Sequence, residues 1–403
     1  MPESPTELDL LISTRRDLHR HPELGFQERR TAAIVAERLR AAGYEVREGV
    51  AETGVVATLR GGTGPGRTLL LRADMDALPI QEEATHDFAS TAPGRMHACG
   101  HDAHVAIGLA VAERLARRRG EWSGTIRYVF QPAEEGGGGA LRMVQEGVLE
   151  GADAALGLHV WMELQAGTIG VVDGPMMAGS REFRVTVRGR GGHGAIPHET
   201  VDAVMVASQL VVALQTIVSR NVSPLDTAVL TVGTIRGGDS PNIIADTAVL
   251  EGTLRAYRTE LMAHMQRRLV EVAEGVGAAF GARCEVAFGK IPYPPTVNDP
   301  AMAGLVARAA RAILTPDRIR TDAGVRTMAA EDFAEFCVRV PSCYFFLGIR
   351  DEAAGIVHPH HSPRFTVSEP ALPVGVDVLE RAALDYLAGG LEGRATGATA
   401  SPT

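Results

Sequence analysis

The segment MHACGHDAH, residues 96–104, concentrates side chains that bind transition metals. Five candidate ligands lie within eight positions: His97, Cys99, His101, Asp102 and His104. Cys99 and His101 are two residues apart, so on an extended chain their side chains point to the same face. Thiolate, imidazole and carboxylate together suit a transition-metal ion. The segment is compatible with a metal site, and also with a buried cysteine beside a hydrogen-bonded histidine.

Two adjacent acids follow a predicted core strand in FQPAEEGGGG, residues 130–139. In an open α/β sheet, ligands bind at the carboxyl ends of the strands. Adjacent side chains diverge on an extended chain, so one of Glu134 and Glu135 can bind a metal while the other faces a water as general base. A solvated turn with a flexible glycine loop is the alternative. The preceding strand favours the catalytic interpretation.

Single histidines stand at the ends of two further predicted elements. His159 closes ALGLHV, and His361 lies in HPHHSPRF. With the earlier groups they make a ligand set large enough for two metals that share a water: Cys99, His101, Glu135, His159 and His361. Paired metals stabilise the attacking and the departing oxygen in hydrolysis. Spacing alone does not separate His361 from His358 and His360.

The helices and strands that position these side chains are predicted from the sequence pattern. Helix and strand patterns alternate, which predicts an α/β fold with a largely buried sheet. A capping box at Ser4 opens the first predicted helix. Gly43 closes the second, over TAAIVAERLRAAG. GVVATLR and RTLLLRADMD flank a glycine-rich turn at residues 61–66 and are predicted to form a hairpin.

The pattern changes after Gly179 to alternating strands around a long amphipathic helix. We expect a catalytic domain formed by residues 1–180 and 294–389, with a central mixed sheet flanked by helices. Residues 181–293 are predicted to form a smaller inserted α+β domain, acting as a lid or dimerisation domain. Residues 390–403 are small and polar, which predicts a disordered tail.

Composition excludes several classes of function. The 403-residue chain carries a formal net charge of −9, which argues against nucleic acid and anionic lipid as partners. Lys290 is the only lysine and no GxxxxGK precedes it, so Schiff-base enzymes and P-loop nucleotidases are excluded. No stretch of the length and apolarity of a bilayer span is evident, so we expect no membrane partner. Four cysteines without CxxC spacing and the absence of a signal-peptide pattern predict a reduced, cytoplasmic protein.

The order of six motifs resembles the di-metal amidohydrolases of the aminoacylase and carboxypeptidase type. The motifs are CGHDAH, PAEEGGGGA, GLHVW, GRGGHGAIPH, SPNIIAD and HHSPRF. RHPELGFQE and RADMDALPI match as well, so the resemblance covers about residues 15–370. The nearest branch is similar to N-acyl-amino-acid amidohydrolases, including hippurate hydrolases and indole-acetyl-amino-acid hydrolases.

This resemblance implies two divalent metal ions per subunit, with manganese, zinc, cobalt and nickel all compatible with the donor set. It implies five metal ligands: Cys99, His101, Glu135, His159 and His361. Glu134 is then the general base and acid, which takes a proton from a metal-bound water that attacks the amide carbon. Asp76 resembles an acid that orients a metal ligand from behind. Distant relatives carry HxD where this chain has Asp74-Met75-Asp76, so a contact by Asp74 stays open.

The resemblance also assigns roles in the inserted domain. His193 resembles a histidine that polarises the scissile carbonyl, often from a partner subunit. Asn242 and Arg255 resemble residues that hold the substrate, and an arginine suits a terminal carboxylate. The implied activity is hydrolysis of the amide bond of small N-acyl amino acids, by a homodimer or higher homo-oligomer.

Three alternatives stay open at this point. A metallo-dipeptidase or carboxypeptidase would share the metals and the base but differ in the substrate pocket. A non-catalytic metal protein would have no use for Glu134 beside Glu135. A dinucleotide-binding oxidoreductase is suggested by GxGxxG at residues 189–194. However, Pro197 intervenes before the next helix, and no acid is placed to bind a ribose.

Overall fold

The computed structural model describes residues 6–389, which form two compact units. Within that range, the first unit comprises residues 6–174, 297–325 and 335–389, and the second comprises residues 175–296 and 326–334. Residues 326–334 were predicted to belong to the catalytic domain. Their backbone instead bonds to the start of the second unit, because Thr327 donates to Met176 and Ala178 donates to Ala329. The predicted tail, residues 390–403, lies outside the described residues.

The helices and strands are numbered along the chain. The strands are β1 (Glu45–Val50), β2 (Gly54–Arg60), β3 (Thr68–Asp74), β4 (Thr125–Gln131), β5 (Ala154–Gln165), β6 (Ile169–Gly170), β7 (Gly174–Met177), β8 (Gly179–Arg188), β9 (Gly192–His193), β10 (Ala228–Gly237), β11 (Ile243–Ile244), β12 (Thr247–Ala256), β13 (Arg283–Phe288), β14 (Thr296–Asn298), β15 (Ile319–Arg320) and β16 (Ser342–Arg350). The helices are α1 (Glu7–Arg20), α2 (Arg29–Ala41), α3 (His101–Arg117), α4 (Gly139–Gln145), α5 (Ala203–Asn221), α6 (Thr259–Ala279), α7 (Pro300–Arg311), α8 (Ala334–Cys337) and α9 (Leu372–Leu387).

The first unit is built on an eight-stranded mixed sheet with the order β1-β2-β4-β3-β5-β16-β6-β15. Strands β4, β3, β5 and β16 are mutually parallel, so their carboxyl ends meet at one edge. β16 is buried from Ser342 to Ile349, as expected for a parallel strand covered on both faces. Helices α2, α3, α7 and α9 pack on this sheet, which confirms the predicted fold class.

The predicted hairpin between β2 and β3 is wrong, because β4 lies between these two strands. β2 pairs with β4 antiparallel, whereas β3 pairs with β4 parallel. The glycine-rich connection crosses the start of β4: Gly61 donates to the carbonyl of Gly124, and Gly124 donates to that of Gly64. A Cβ atom on Gly61 would lie 2.2 Å from the carbonyl oxygen of Trp122. These glycines therefore permit a close backbone crossing rather than a tight turn.

Helix α1 begins two residues later than predicted. Thr6 is its N-cap, and its side chain accepts a hydrogen bond from the Asp9 amide at 3.2 Å. The Asp9 carboxylate accepts one from the Thr6 amide at 2.9 Å, which completes the capping box. The second helix ends as predicted, with Gly43 at a φ of 88°.

The second unit is a four-stranded antiparallel sheet with the order β10-β12-β8-β13, covered by α5 and α6. Its core includes Phe183, Leu210, Leu250 and Leu269. By length and composition, α5 is the one helix of the described residues that could cross a membrane. However, one face of α5 is buried on the sheet of its own unit, and a soluble core helix passes the same test.

Candidate active site

The sheet of the first unit brings the predicted ligands together from distant parts of the sequence. Glu134 and Glu135 follow the carboxyl end of β4, and His159 lies within the neighbouring parallel strand β5. Cys99 precedes α3, and His101 is its first residue. His361 follows β16, and its amide donates to the carbonyl of Ala98 at 2.9 Å. The edge where parallel strands end is thus a shared platform, as expected for an α/β sheet.

The ligand atoms form three overlapping groups. In each group, all ligand atoms lie within 4.8 Å of one another. The groups are Cys99 with His101 and His159, Cys99 with Glu135 and His361, and His101 with Glu134 and Glu135. The Cys99 Sγ atom is 3.5 Å from His159 Nε2, and His361 Nε2 is 3.1 Å from Glu135 Oε1. Because Cys99, His101 and Glu135 each belong to two groups, the arrangement suits two cations held side by side.

Asp76 connects two of these ligands from behind. Its Oδ1 atom lies 3.2 Å from His101 Nδ1, and its Oδ2 atom accepts the Glu135 amide at 2.9 Å. A carboxylate at Nδ1 fixes the imidazole tautomer and leaves Nε2 as the donor to a metal. His101 Nε2 is buried and has no hydrogen-bond partner among the described residues. A cation at this position would satisfy that atom.

The charges around the cluster favour a cation. Burial lowers the pKa of His101, but Asp74, Asp76 and Glu135 outweigh this effect and raise it to about 10. Burial raises the pKa of the Cys99 thiol, and the nearby carboxylates raise it further. The cluster therefore holds more negative charge than its own histidines balance. Sulfur, nitrogen and oxygen donors with this surplus charge fit divalent transition metals.

The glycine-rich turn after β4 requires an unusual backbone. Ala133 has a φ of 50°, in the left-handed region that non-glycine residues rarely adopt. A Cβ atom on Gly139 would lie 1.7 Å from the carbonyl oxygen of Pro132, so only glycine fits there. This close approach holds the turn that presents Glu134 and Glu135.

Residues of the motif RHPELGFQE support the same turn. The sequence alone indicated no role for this motif. Gly25 packs against it, since a Cβ atom there would lie 2.9 Å from the Cβ of Ala133. Glu28 is buried and accepts the Ala133 amide at 2.9 Å and the hydroxyl of Thr53. Burial raises the pKa of Glu28 to about 7, and these two hydrogen bonds offset it only in part. Glu28 therefore acts on the strained residue directly before Glu134.

Asp74 and His104 form a second support for the proposed ligands. The sequence left open whether Asp74 makes any contact near the site, and in the structure it does. Asp74 accepts hydrogen bonds from Arg72 and His104, both of them buried. His104 Nε2 in turn accepts the Val160 amide at 2.9 Å, directly after His159. Asp74 also lies 3.7 Å from His101 Nε2. The DxD pattern was the available signal, but the partners of Asp74 come from elements far apart in the sequence.

His360 also approaches the cluster, which explains why spacing could not single out His361. The Nδ1 atom of His360 is 3.9 Å from Cys99 Sγ, while its Nε2 atom accepts the Met162 amide at 3.2 Å. Burial and, to a smaller extent, the neighbouring histidines lower the pKa of His360 to about 3. His361 has a φ of 65°, in the left-handed region, so its side chain and that of His360 point in different directions.

The second unit contains the remaining predicted residues at two separate places. His193 in β9 pairs with Ile243 in β11, and Gly194 donates to the Asn242 carbonyl at 2.8 Å. Arg255 lies near the end of β12 and donates to the Ser180 hydroxyl at 2.6 Å. Arg255 is eight residue steps along β12 from Thr247, where the strand begins, which corresponds to about 27 Å. The structure therefore brings His193 and Asn242 together and places Arg255 at the other end of the sheet.

The glycine pattern at residues 189–194 has none of the surroundings of a dinucleotide site. The short strand β9 lies inside it and pairs antiparallel with β11. The next regular element is a 3₁₀ turn at Pro197–Glu199, not a long helix that could face a pyrophosphate with its N-terminus. The oxidoreductase alternative therefore has no structural support.

Comparison with known proteins identifies several relatives along almost the whole chain. The chain is 41% identical over 362 residues to N-acetyl-L-cysteine deacetylase of Bacillus subtilis, and the match covers 90% of this chain and 84% of that protein. It is 40% identical over 370 residues to thermostable carboxypeptidase 1 of Saccharolobus solfataricus, covering 91% and 93%. The crystal structure of a dinuclear metal-binding M20 peptidase from Bacillus subtilis superposes with a TM-score of 0.81 at 34% identity, covering 95% and 99%.

The family model described as peptidase family M20/M25/M40 matches residues 70–385. This match spans both units and includes every predicted metal ligand. The chain therefore belongs to peptidase family M20/M25/M40.

Proposed function

We propose that this protein hydrolyses the amide bond of small N-acyl amino acids with the aid of two divalent metal ions. The observation that carries the proposal is the convergence of Cys99, His101, Glu135, His159 and His361 beside Glu134. A deacetylase acting on N-acetyl-L-cysteine is among the relatives, which supports this substrate class. The dinuclear metal-binding relative supports a pair of cations.

Each side chain of the cluster has a defined task in this proposal. When bound, the divalent cations supply Lewis acidity for the carbonyl group and lower the pKa of water. Glu134 removes the proton of the attacking water and returns it to the leaving amine. Asp76 keeps His101 and Glu135 oriented through the contacts at 3.2 and 2.9 Å. Zinc, manganese, cobalt and nickel all suit the donor set. We also propose that the protein is located in the cytoplasm.

His193, Asn242 and Arg255 are proposed to contact the substrate. His193 would polarise the carbonyl, and Arg255 would pair with the substrate carboxylate. Arg255 lies about 27 Å along β12 from Thr247, the strand end that follows Asn242 and β11, so we expect that one small substrate does not reach both places within a single copy of the second unit. The proposal therefore includes a homodimer in which a partner subunit supplies one of the two. Among the described residues β10 is an edge strand of its sheet, and an edge strand can pair with another chain.

A substrate screen tests the proposed activity. Metal-loaded protein is incubated with N-acetyl, N-benzoyl and indole-acetyl amino acids and with dipeptides, with and without a chelator. We expect chelator-sensitive hydrolysis of the N-acyl amino acids. Preference for dipeptides would favour the carboxypeptidase or dipeptidase alternative, which is worth including since a carboxypeptidase is 40% identical.

The variant Glu134→Gln tests the proton transfer. It keeps the side-chain volume but removes the base, so we expect turnover to fall by about 10²–10⁴-fold with metal content unchanged. Turnover equal to that of the unmodified protein would show that Glu134 is not the base.

A further inference from the structure

A second group of metal-binding side chains lies in the first unit, apart from the proposed ligands. It consists of His19 near the end of α1, and of Glu82 and His86 in the segment between β3 and α3. We call these three residues the His–Glu–His cluster. The His19 side chain is fully buried, and that of Glu82 is 3% exposed. None of the three has a task in the proposed amide hydrolysis.

The spacing of the cluster matches the donors of a tetrahedral metal site. Glu82 Oε1 lies 3.2 Å from His19 Nε2 and 3.2 Å from His86 Nε2. All three donor atoms lie within 4.8 Å of one another. With metal–ligand distances of about 2.0–2.2 Å, tetrahedral geometry places donors about 3.3–3.6 Å apart. The two Glu82 contacts are therefore slightly shorter than the tetrahedral separation, and the two imidazole nitrogens, which lie within 4.8 Å of each other, would adjust around one ion.

The His86 ring is held in place without a hydrogen bond. Both of its ring nitrogens are shielded from solvent, and apart from the 3.2 Å approach of Nε2 to Glu82 Oε1 neither has a hydrogen-bond partner among the described residues. The ring stacks on Phe88, with centroids 3.8 Å apart and planes 15° apart. Leaving a buried polar nitrogen unpaired costs about 1–3 kcal/mol. A cation between His86 Nε2 and Glu82 Oε1 would satisfy the first of these nitrogens.

The other two donors are oriented by groups behind them. His19 Nδ1 donates to Asp102 Oδ2 at 2.8 Å, and its Nε2 lies 3.2 Å from Glu82 Oε1, where a cation would take the place of a proton between the two atoms. Glu82 Oε2 accepts the Ser90 amide at 2.6 Å, so Oε1 is the oxygen left for the cluster. Such outer partners are characteristic of histidine and carboxylate ligands in metal sites.

The charges next to the cluster leave room for a cation. Arg15 and Arg16 are the cationic side chains that stack on Phe88 beside it. Arg15 pairs with Asp102 at 2.8 Å, and both arginines pair with Glu369. The positive charge is therefore balanced before the Glu82 carboxylate is counted. Burial and Arg15 lower the pKa of His19, but Asp102 and Glu82 outweigh them and raise it, so a cation at the cluster would displace the second proton of this imidazole.

We propose that the His–Glu–His cluster binds one divalent cation of the zinc type. His19, Glu82 and His86 supply two nitrogens and one oxygen, and water completes the tetrahedron. The ion would join α1 to the segment that leads to Cys99 and α3. It is a third metal site, distinct in its residues from the proposed pair.

Zinc content per chain tests the proposal directly. The unmodified protein, His86→Asn and the control His264→Asn, which changes a histidine on α6 of the second unit, are dialysed against the same buffered free Zn²⁺. We expect His86→Asn to retain one zinc fewer per chain than the other two proteins. Losing an outer partner weakens metal sites by ~10–100-fold, so losing a ligand should weaken this one by at least ~100-fold. Equal zinc content in all three proteins would overturn the proposal.

A second measurement avoids any effect of the substitution on folding. Zinc-edge anomalous diffraction from crystals of the unmodified protein should show a peak within about 2.3 Å of His19 Nε2, Glu82 Oε1 and His86 Nε2. Density for zinc at the proposed active site without a peak here would refute the third site. The two sites are distinguished by position, so failure of one does not imply failure of the other.

Discussion

The buried carboxyl group of Glu28 predicts a specific dependence of stability on pH. Burial raises its pKa from 4.5 to about 7 in the folded chain. The folded state therefore binds the proton more tightly than the unfolded state. Below pH 4.5 both states are protonated and the stabilising contribution is complete. It is lost as the pH rises through 7.

The size of this contribution follows from the interval between the two pKa values. Each pH unit is worth ~1.4 kcal/mol, so the interval from 4.5 to about 7 corresponds to about 3 kcal/mol of unfolding free energy. Glu28→Gln removes the ionisation and keeps an oxygen that can accept the Ala133 amide. Between pH 5 and pH 8, we expect the unmodified protein to lose about 2–3 kcal/mol relative to this variant.

Urea denaturation followed by tryptophan fluorescence measures the difference. Both tryptophans, Trp122 and Trp161, belong to the first unit, so their signal reports on the unit that contains Glu28. Chelator is present at both pH values, which removes the pH dependence of metal binding. Parallel stability profiles for the two proteins would refute the assignment of a raised pKa to Glu28.

Three further predictions address the supports of the active site. Asp76→Asn leaves the fold intact but weakens the hold on His101, so metal affinity should fall by ~10–100-fold in dialysis against metal buffers; unchanged affinity would contradict the orienting role. Gly139→Ala places a Cβ atom 1.7 Å from the Pro132 oxygen and should reduce the unfolding free energy by about 1–3 kcal/mol or more, with loss of hydrolysis. Its control Gly120→Ala, with nothing within 4 Å of the added atom, should change stability by no more than about 0.5 kcal/mol, and equal effects would contradict the close approach of Gly139 to Pro132 as the cause. His104→Ala frees the Val160 amide and should lower metal affinity as Asp76→Asn does, with the same dialysis measurement.

Much of the fold was predictable because local patterns carry it. The turn glycine Gly43 and the buried run of β16 follow from helix-ending and strand rules that involve only neighbouring residues. Helix α6 was not predicted, although its buried Leu261, Met265, Leu269 and Ala273 recur every four residues.

Strand order was the part of the fold that sequence patterns could not supply. The pairing of β2 with β4 depends on a contact between segments about seventy residues apart, whereas a hairpin needs only a turn signal. The glycines at residues 61–66 suit a turn and a close crossing equally well. Membership of residues 326–334 in the second unit likewise depends on backbone bonds to Met176 and Ala178.

The proposed ligands and one support, Asp76, could be named from the sequence because they lie in motifs that resemble a known family. The residue types alone left a metal-free interpretation open. In contrast, Glu28 acts through one hydrogen bond to Ala133, and His104 through one to Val160. Such bonds depend on three-dimensional neighbours, so no spacing rule identifies them.

The central claim is that the side chains at the carboxyl edge of the sheet hold two cations beside Glu134. Anomalous diffraction at the absorption edge of the loaded metal tests it most directly. We expect two peaks there, bound between them by Cys99, His101, Glu135, His159 and His361, with each peak contacting at least two of these residues. A single peak, or metal bound without Cys99, His159 and His361, would contradict the account.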